Sequence, residues 1–415
     1  MFLNFLFLIL FSYFNTFAST LVAARIGNNF YDTLEEAIEA ASSTDTITLT
    51  KNVTLDETME IKKTVNINLN NHTISGKEKV FLIEGGSLNL TGTGVIRENE
   101  PYYGAIMLKG SEDSSDVNYS TLSVSNGVTL EGWSGIFIDH NSNQTGYGIL
   151  VNMNGTIKAV DDKEGGTGVG VYVNGNIKHK ENSPIINLSD TVKITSTGNG
   201  IYSAGYATYN INGSYIEGVE SGLGIKSGVF NINDATILGT GDDETPTSGN
   251  NNGINASGVS IQMESNSGYA GDIELYIKDG SYRSFDSYVL YEYVVNSSPT
   301  KVKNITISDG NFVSDAGKDT LSFSSSFDST HSGFITGGTY SSNPTPYLKS
   351  GYTASLDGDK YVVTSTTMGV FGENNSQNSP NLFLILSIIS IIILGIVFFF
   401  KRDRILDFIS NLRNR

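Results

Sequence analysis

The chain has 415 residues, with 45 glycines, 7 prolines, no cysteine, and 43 acidic against 26 basic side chains for a net charge of −17. That balance argues against nucleic acid and anionic lipid as ligands of the bulk of the chain, and without cysteine an exported domain must hold together by packing and hydrogen bonding alone. Abundant Gly and Asn among short bursts of Thr, Ser, Ile, Val, Tyr and Phe describe many brief strands joined by tight turns, so one repetitive body can absorb the length.

Residues 1–18 read as a secretory signal peptide. Met1 to Phe17 is an apolar run rich in Phe and Leu, and Ala18 and Ser19 supply the small residues a signal peptidase reads. The n-region has no Lys or Arg, which leaves an N-terminal anchor or a cut after Ala24 as alternatives.

Residues 19–45 form an N-terminal cap. Ala24-Arg25-Ile26-Gly27 is a short strand and turn. Thr33-Leu34-Glu35-Glu36 is a capping box, and Leu34, Ala37, Ile38 and Ala41 recur at helical spacing. This amphipathic helix would lid the open end of a solenoid, whose terminal repeat otherwise exposes core and strand edges.

From Thr46 the apolar period becomes two: Ile47/Leu49, Val53/Leu55 and Val65/Ile67/Leu69, then Leu88/Leu90, Leu122/Val124, Ile136/Ile138, Ile149/Val151/Met153 and Val169/Val171/Val173. Gly or Asn closes each burst, as sharp corners require. Ile225 to Phe230, Ile277 to Tyr282, Ile307 to Phe312 and Ile335 to Tyr340 all read Ile-x-x-Gly-x-aromatic, and Met153 to Ile157 resembles Val173 to Ile177. Such repetition predicts a stacked coil of about a dozen rungs over residues 46–363, with turns of roughly 26 to 30 residues and Ile and aromatic ladders facing inward. An antiparallel sandwich or propeller is the alternative, disfavoured by the absence of regular Asn-Gly hairpin spacing. Asn-x-Ser/Thr triplets begin at Asn71, Asn89, Asn154, Asn187 and Asn304, as an Asn- and Thr-rich chain produces by chance.

Residues 364–381 are polar and read as a flexible linker with a reach of about 23 Å. Leu382 to Phe400 has no charge and no proline, long enough as a helix to cross a bilayer. Residues 401–415 carry five basic and two acidic side chains; with these set aside, 21 basic and 41 acidic residues remain. The positive-inside rule makes this tail cytoplasmic and everything before Leu382 external. Ile405, Leu406, Ile409 and Leu412 share a helical face suited to lying along the inner leaflet, and a frayed polar tail is the plainer reading.

The opening Arg25-Ile26-Gly27, Tyr31, Thr33-Leu34, Ala37-Ile38 and Asp45-Thr46-Ile47-Thr48-Leu49 resembles the N-terminal cap of pectin-lyase-like, right-handed parallel β-helix surface proteins of low-GC Gram-positive bacteria and their wall-less relatives. The ending Ile335 to Pro344, Tyr347-Leu348, Gly351-Tyr352 and Tyr361-Val362-Val363 is similar to their last turn. The resemblance brackets nearly the whole external part. It implies an all-β, single right-handed parallel β-helix with a capping α-helix and one C-terminal transmembrane helix. It assigns no reaction, since the surface proteins with this cap mostly lack one. Where walled bacteria carry an LPxTG sorting signal, this chain has Asn378-Ser379-Pro380-Asn381, so the helix itself is the expected anchor.

Catalysis by a β-helix glycosidase needs carboxylates converging on a groove. Asp161-Asp162 and Asp242-Asp243 lie in Gly-, Ser- and Asn-rich loops and read as solvated turns. His72, His140, His179 and His331 are scattered; Asp139-His140 is the pair nearest to a deliberate arrangement, and a surface hydrogen bond explains it as well. A lyase needs calcium carboxylates and a base, but Arg25, Arg97 and Arg283 are the only arginines before residue 382, and Gly170 stands where a calcium-binding turn from Gly165 needs Asp. No catalytic, cofactor or metal residue is therefore assigned. Trp133 and Tyr102, Tyr103, Tyr202, Tyr206, Tyr209, Tyr288, Tyr291 and Tyr293 suit either a sugar-stacking face or rung ladders. The expected function is a membrane-anchored adhesin or binding scaffold, towards glycans or neighbouring cells and without catalysis. The alternatives are a membrane-tethered polysaccharide lyase or glycoside hydrolase, and a structural coat.

Overall fold

The computed structural model describes residues 22–139, 146–174, 180–242, 257–295 and 297–366. The signal peptide, residues 367–381 of the linker, the 382–400 segment, the basic tail, His140, His179 and Asp243 lie outside the described residues, as does the Asp139 side chain.

Parallel strands stack in three long sheets, as a β-solenoid requires. Sheet I runs from Thr46–Leu49 to Val302–Ile307, sheet II from Val53–Leu55 to Asn311–Ser314, and sheet III from Met59–Ile61 to Leu321–Ser322. Over the described residues, ten successive coils each give one strand to each sheet. A strand of two to seven residues cannot bury a core alone; pairing each with the coil before and after satisfies its backbone and closes the interior.

Pairing register makes the inward positions into ladders. In sheet I, Ile47, Ile67, Leu90, Val124, Met153, Leu188, Ile211, Ile232, Ile277, Ile307 and Ile335 stand one above the next, all 2% exposed or less. In sheet II the aliphatic ladder ends in rings: Tyr282, Phe312 and Tyr340 stack at centroid distances of 4.8 and 4.7 Å with planes within 12° and 4° of parallel. The Tyr282 hydroxyl donates back to Asp279 O at 2.7 Å. The corner beneath the ring must therefore be tight, and Gly280 supplies it at φ +133°, where a Cβ would lie 2.4 Å from Ala235 O.

Glycine serves a second purpose along sheet III. An added Cβ at Gly170, Gly200 or Gly222 would come within 2.3 to 2.5 Å of Ile194, Ile216 or Ile237 of sheet II, each on the next coil. Only a bare backbone lets these coils nest so closely.

The structure also shifts the phase of the repeats. Ile277, Ile307 and Ile335 each lead a sheet I to sheet II corner, but Ile225 ends a sheet III strand and Phe230 opens in sheet I. Likewise Met153 belongs to sheet I and Val173 to sheet III, so their 20-residue separation is not a coil. Equivalent sheet I positions lie 20 residues apart at Ile47 and Ile67 but 45 apart at Ile232 and Ile277, because loops of different length are inserted at the other two corners.

Both ends of the stack are closed. At the start, Ala24–Ile26 pairs antiparallel with Thr46–Leu49, and the helix Leu34–Ala40 buries Leu34, Ala37 and Ile38. Thr33 Oγ1 accepts from Glu36 N at 3.1 Å, while the Glu36 carboxylate accepts from Asp32 N at 3.2 Å, one residue earlier than a reciprocal capping box has it. At the other end, the antiparallel hairpin Tyr352–Asp357 and Lys360–Ser365 continues sheet II. Thr366 N still donates to Gly351 O at 2.8 Å, so ordered pairing passes the 363 boundary read from the sequence. A short helix absent from the sequence reading, Ser325–Asp328, plugs this end with Phe323, Phe327, Phe334 and Tyr347 packed ring to ring.

The outer face of sheet I carries asparagines whose amides join coil to coil: Asn89 to Asn66, Asn187 to Asn152, Asn210 to Asn187 and Asn231 to Asn210, at 2.8 to 3.0 Å. Asn89 and Asn187 open acceptor triplets, and Nδ2, the atom a glycan would occupy, is the one each donates. Asn154 and Asn304 also donate Nδ2, to Val124 O at 3.3 Å and to Glu274 at 3.0 Å. No helix among the described residues is long and apolar enough to cross a membrane.

Candidate functional site: the outer face of sheet III

Strands that face solvent on one side alternate apolar and polar residues, but several strands of sheet III do not. Ile106-Met107-Leu108, Ile136-Phe137-Ile138 and Val171-Tyr172-Val173 are apolar at every position, so their outward side chains need cover of their own. Register aligns these outward residues into a stripe: Leu82, Met107, Phe137, Tyr172 and Tyr202. Phe137 and Tyr172 stack at 5.0 Å with planes 5° apart, and Tyr172 and Tyr202 at 5.0 Å with planes 3° apart. Their faces are spent on one another, and Lys226 Nζ lies 4.9 Å from the Tyr202 ring centroid.

Trp133 differs. It lies at the sheet II to sheet III corner, half-buried, tilted 55° against Tyr172 at 5.3 Å and 51° against Phe137 at 6.2 Å. Its indole N–H donates to Thr167 O at 2.9 Å. A ring so tethered is held in place while part of it stays accessible.

One buried carboxylate organises this corner. Glu98, 3% exposed, accepts on Oε1 from the amides of Tyr102, Tyr103 and Gly104 at 3.0, 2.9 and 3.1 Å, and on Oε2 from Trp133 N at 2.9 Å. Burial pushes its carboxyl above the ordinary glutamate value, and the four amides act in the opposite direction without cancelling that push. The loop it gathers carries Tyr103 edge-on to Phe137 at 6.4 Å, with Lys79 Nζ 4.4 Å above the Tyr103 ring and Lys163 Nζ 5.1 Å above that of Tyr102.

On the other side of sheet III the connections to sheet I are knitted together. Asn182 Nδ2 donates to Ser114 O at 2.7 Å, and Lys180 reaches Glu274 on the outer face of sheet I. Burial alone would raise the Glu274 carboxyl, but hydrogen bonds from Lys180, Tyr276 and Asn304 together with the Lys180 charge outweigh it and hold the group at about 2. Since this lies below the unfolded value, the contribution is whole above about pH 4.5 and is lost as pH falls towards 2. The shift alone would suggest about 3 kcal/mol; with the Lys180 side chain 63% exposed, about 1–2 kcal/mol is the expected cost of Glu274→Gln at pH 7. The deficit should shrink towards zero near pH 2, as urea titrations of both proteins at several pH values would show.

No family model, no curated protein and no solved structure matches this chain.

The residues singled out in the sequence divide along these lines. Trp133, Tyr102, Tyr103 and Tyr202 gather on the sheet III face, with Tyr291 farther along it and stacked between Tyr288 and Tyr293 at 5.2 and 5.5 Å. Tyr209 is instead an interior ladder ring against Phe230, and Tyr206 is buried beside Tyr147. Asp162 Oδ1 accepts from the amides of Glu164 and Gly166 at 2.8 and 2.7 Å, a loop-shaping role; Asp161 and Asp242 are exposed. His72 begins a sheet II strand, and His331 stacks on Phe327 at 4.4 Å. Arg25 donates to Gly27 O, Arg97 pairs with Glu131 on the next coil, and Arg283 pairs with Asp315. Phe137, Tyr172 and Glu98 escaped the sequence reading. The three-residue apolar runs were the available signal for the first two; Glu98 had none.

Proposed function

We propose that this chain is a cell-surface binding scaffold: a right-handed, pectin-lyase-like β-helix exported by residues 1–18, anchored by the 382–400 segment with its tail inside, and displaying the sheet III face to glycans. The observation that carries the reading is Trp133, a half-buried indole braced by Phe137 and Tyr172 and hydrogen-bonded to Thr167, with Lys79 and Lys163 over the neighbouring Tyr103 and Tyr102 rings. A sugar presents C–H groups to a ring face and hydroxyls to polar edges, and this corner offers both.

Binding without cleavage is supported by what three of the nearby carboxylates do. Both oxygens of Glu98 are taken by amides. Those of Glu264 take Lys226, Asn266 and Tyr293, and Asp162 shapes its own loop. Acid–base hydrolysis needs a pair of carboxyls open to a substrate.

A glycan array probed with the external part of the chain should give specific hits, and Trp133→Ala should weaken the best of them about tenfold, the loss of roughly 1.4 kcal/mol of ring contact. Undiminished binding by the variant would remove this face from the account. Release of reducing or unsaturated sugar from a bound glycan would favour the enzymatic alternative.

A further inference from the structure

Beyond Tyr202 the sheet III face turns polar and closes. Ile225 pairs with Met263, which sets the next residue, Lys226, opposite Glu264 on the following coil. Lys226 and Glu264 are 1% and 0% exposed, and Asn266, two residues along on the same outward side, is 6% exposed. Lys226 Nζ lies 2.6 Å from Glu264 Oε2, and Asn266 Nδ2 donates to Glu264 Oε1 at 2.8 Å. Amine and carboxamide thus meet on the two oxygens of one carboxylate. Tyrosine rings wall the site: Nζ is 4.9 Å from the centroids of both Tyr202 and Tyr269, and the Tyr293 hydroxyl donates to Oε2 at 3.1 Å. Gly268 N donates to Asn266 Oδ1 at 2.9 Å, which shapes an Asx turn and polarises the side-chain carbonyl.

A buried lysine–carboxylate pair is a poor source of stability, because desolvation offsets most of the attraction. The carboxamide held beside it gives the arrangement a chemical use. We propose that Lys226 and Asn266 join in an intramolecular isopeptide bond, with Glu264 carrying the protons. Glu264 takes a proton from the Lys226 ammonium, and the freed amine adds to Asn266 Cγ. The developing oxyanion at Oδ1 is met by the Gly268 amide. Glu264 returns its proton to Nδ2 and accepts the second one from Nζ. The Cγ–Nδ2 bond breaks as Nζ–Cγ becomes an amide, and the departing ammonia takes that last proton, leaving as ammonium with Glu264 again a carboxylate. Exclusion of water protects the intermediate, and proximity replaces an external activating agent. The product ties two adjacent coils covalently and closes a ring around residues 227–265. In a chain without cysteine it is a staple that needs no oxidant. The inference stands independently of glycan binding.

Tandem mass spectrometry of a tryptic digest of the purified full chain tests it. The expected result is a branched peptide joining the Lys226 and Asn266 segments, one ammonia lighter than their sum, with no cleavage after Lys226. Lys226→Arg and Glu264→Gln should both give only linear peptides. Linear peptides cleaved after Lys226 in the unaltered protein would overturn the proposal, whatever the variants do. A branch lighter by one water and running through Glu264, or one that persists in Glu264→Gln, would overturn it too.

Discussion

Glu98→Ala is expected to destabilise the protein by about 3–5 kcal/mol and to loosen the aromatic corner of sheet III. Four amide donors, that of Gly104 buried and the other three partly so, would lose their acceptor at once, and a buried orphan costs about 1–3 kcal/mol before water or local rearrangement recovers part of it. Glu98→Gln should cost about half as much, since its carbonyl oxygen can still serve the Tyr102, Tyr103 and Gly104 amides while its NH2 faces that of Trp133. The chain contains one tryptophan, so Trp133 reports directly on its own corner. Its emission should shift to the red in both variants, more in alanine, and chemical denaturation read by far-ultraviolet circular dichroism should give the loss of stability. Unchanged emission and an unchanged midpoint would mean that Glu98 does not organise the corner.

The second large effect is expected at Phe312→Ala. Phe312 is fully buried between Tyr282 and Tyr340. Removing a core phenylalanine costs about 3–5 kcal/mol through lost burial and the cavity left behind. In a stacked repeat each coil touches only its neighbours, so the damage should stay local. Hydrogen exchange should accelerate in Ile273–Ile277, Val302–Ile307 and the closing hairpin, while Thr64–Asn68 and Ser87–Thr91 keep their wild-type protection. Uniform acceleration along the chain would show that the coils unfold as one unit.

Alternation over Ile47 to Leu55 and the glycine-cornered Ile277, Ile307 and Ile335 repeats were enough to read a solenoid, because inward position and corner chemistry are local properties. The cap helix was legible for the same reason, through Thr33, Glu36 and the Leu34 stripe. Phase was not. Ile225 to Phe230 fits the same Ile-x-x-Gly-x-aromatic pattern as Ile277 to Tyr282 yet turns a different corner, since an apolar–glycine–aromatic run suits any corner where a ring packs beneath a bare backbone. The site was less legible still. Glu98 looks like an ordinary acid, and only the fold brings the Trp133 amide to it. Lys226, Glu264 and Asn266 meet through coil register, and the 38-residue step from Ile225 to its partner Met263 hides that register from any fixed period.

Stacking of in-register coils underlies every statement about these faces, and the absence of cysteine permits a clean test. Thr195 and Glu217 are opposed on the outer side of sheet II, one coil apart, where directly paired residues lie about 4.8 Å from each other, within the span of a disulfide. The account predicts that the double variant Thr195→Cys/Glu217→Cys closes a disulfide nearly completely under mild oxidation, while the shifted pair Thr195→Cys/Ile216→Cys stays reduced. Two free, alkylatable thiols in the first pair, or bonding in the second, would contradict it.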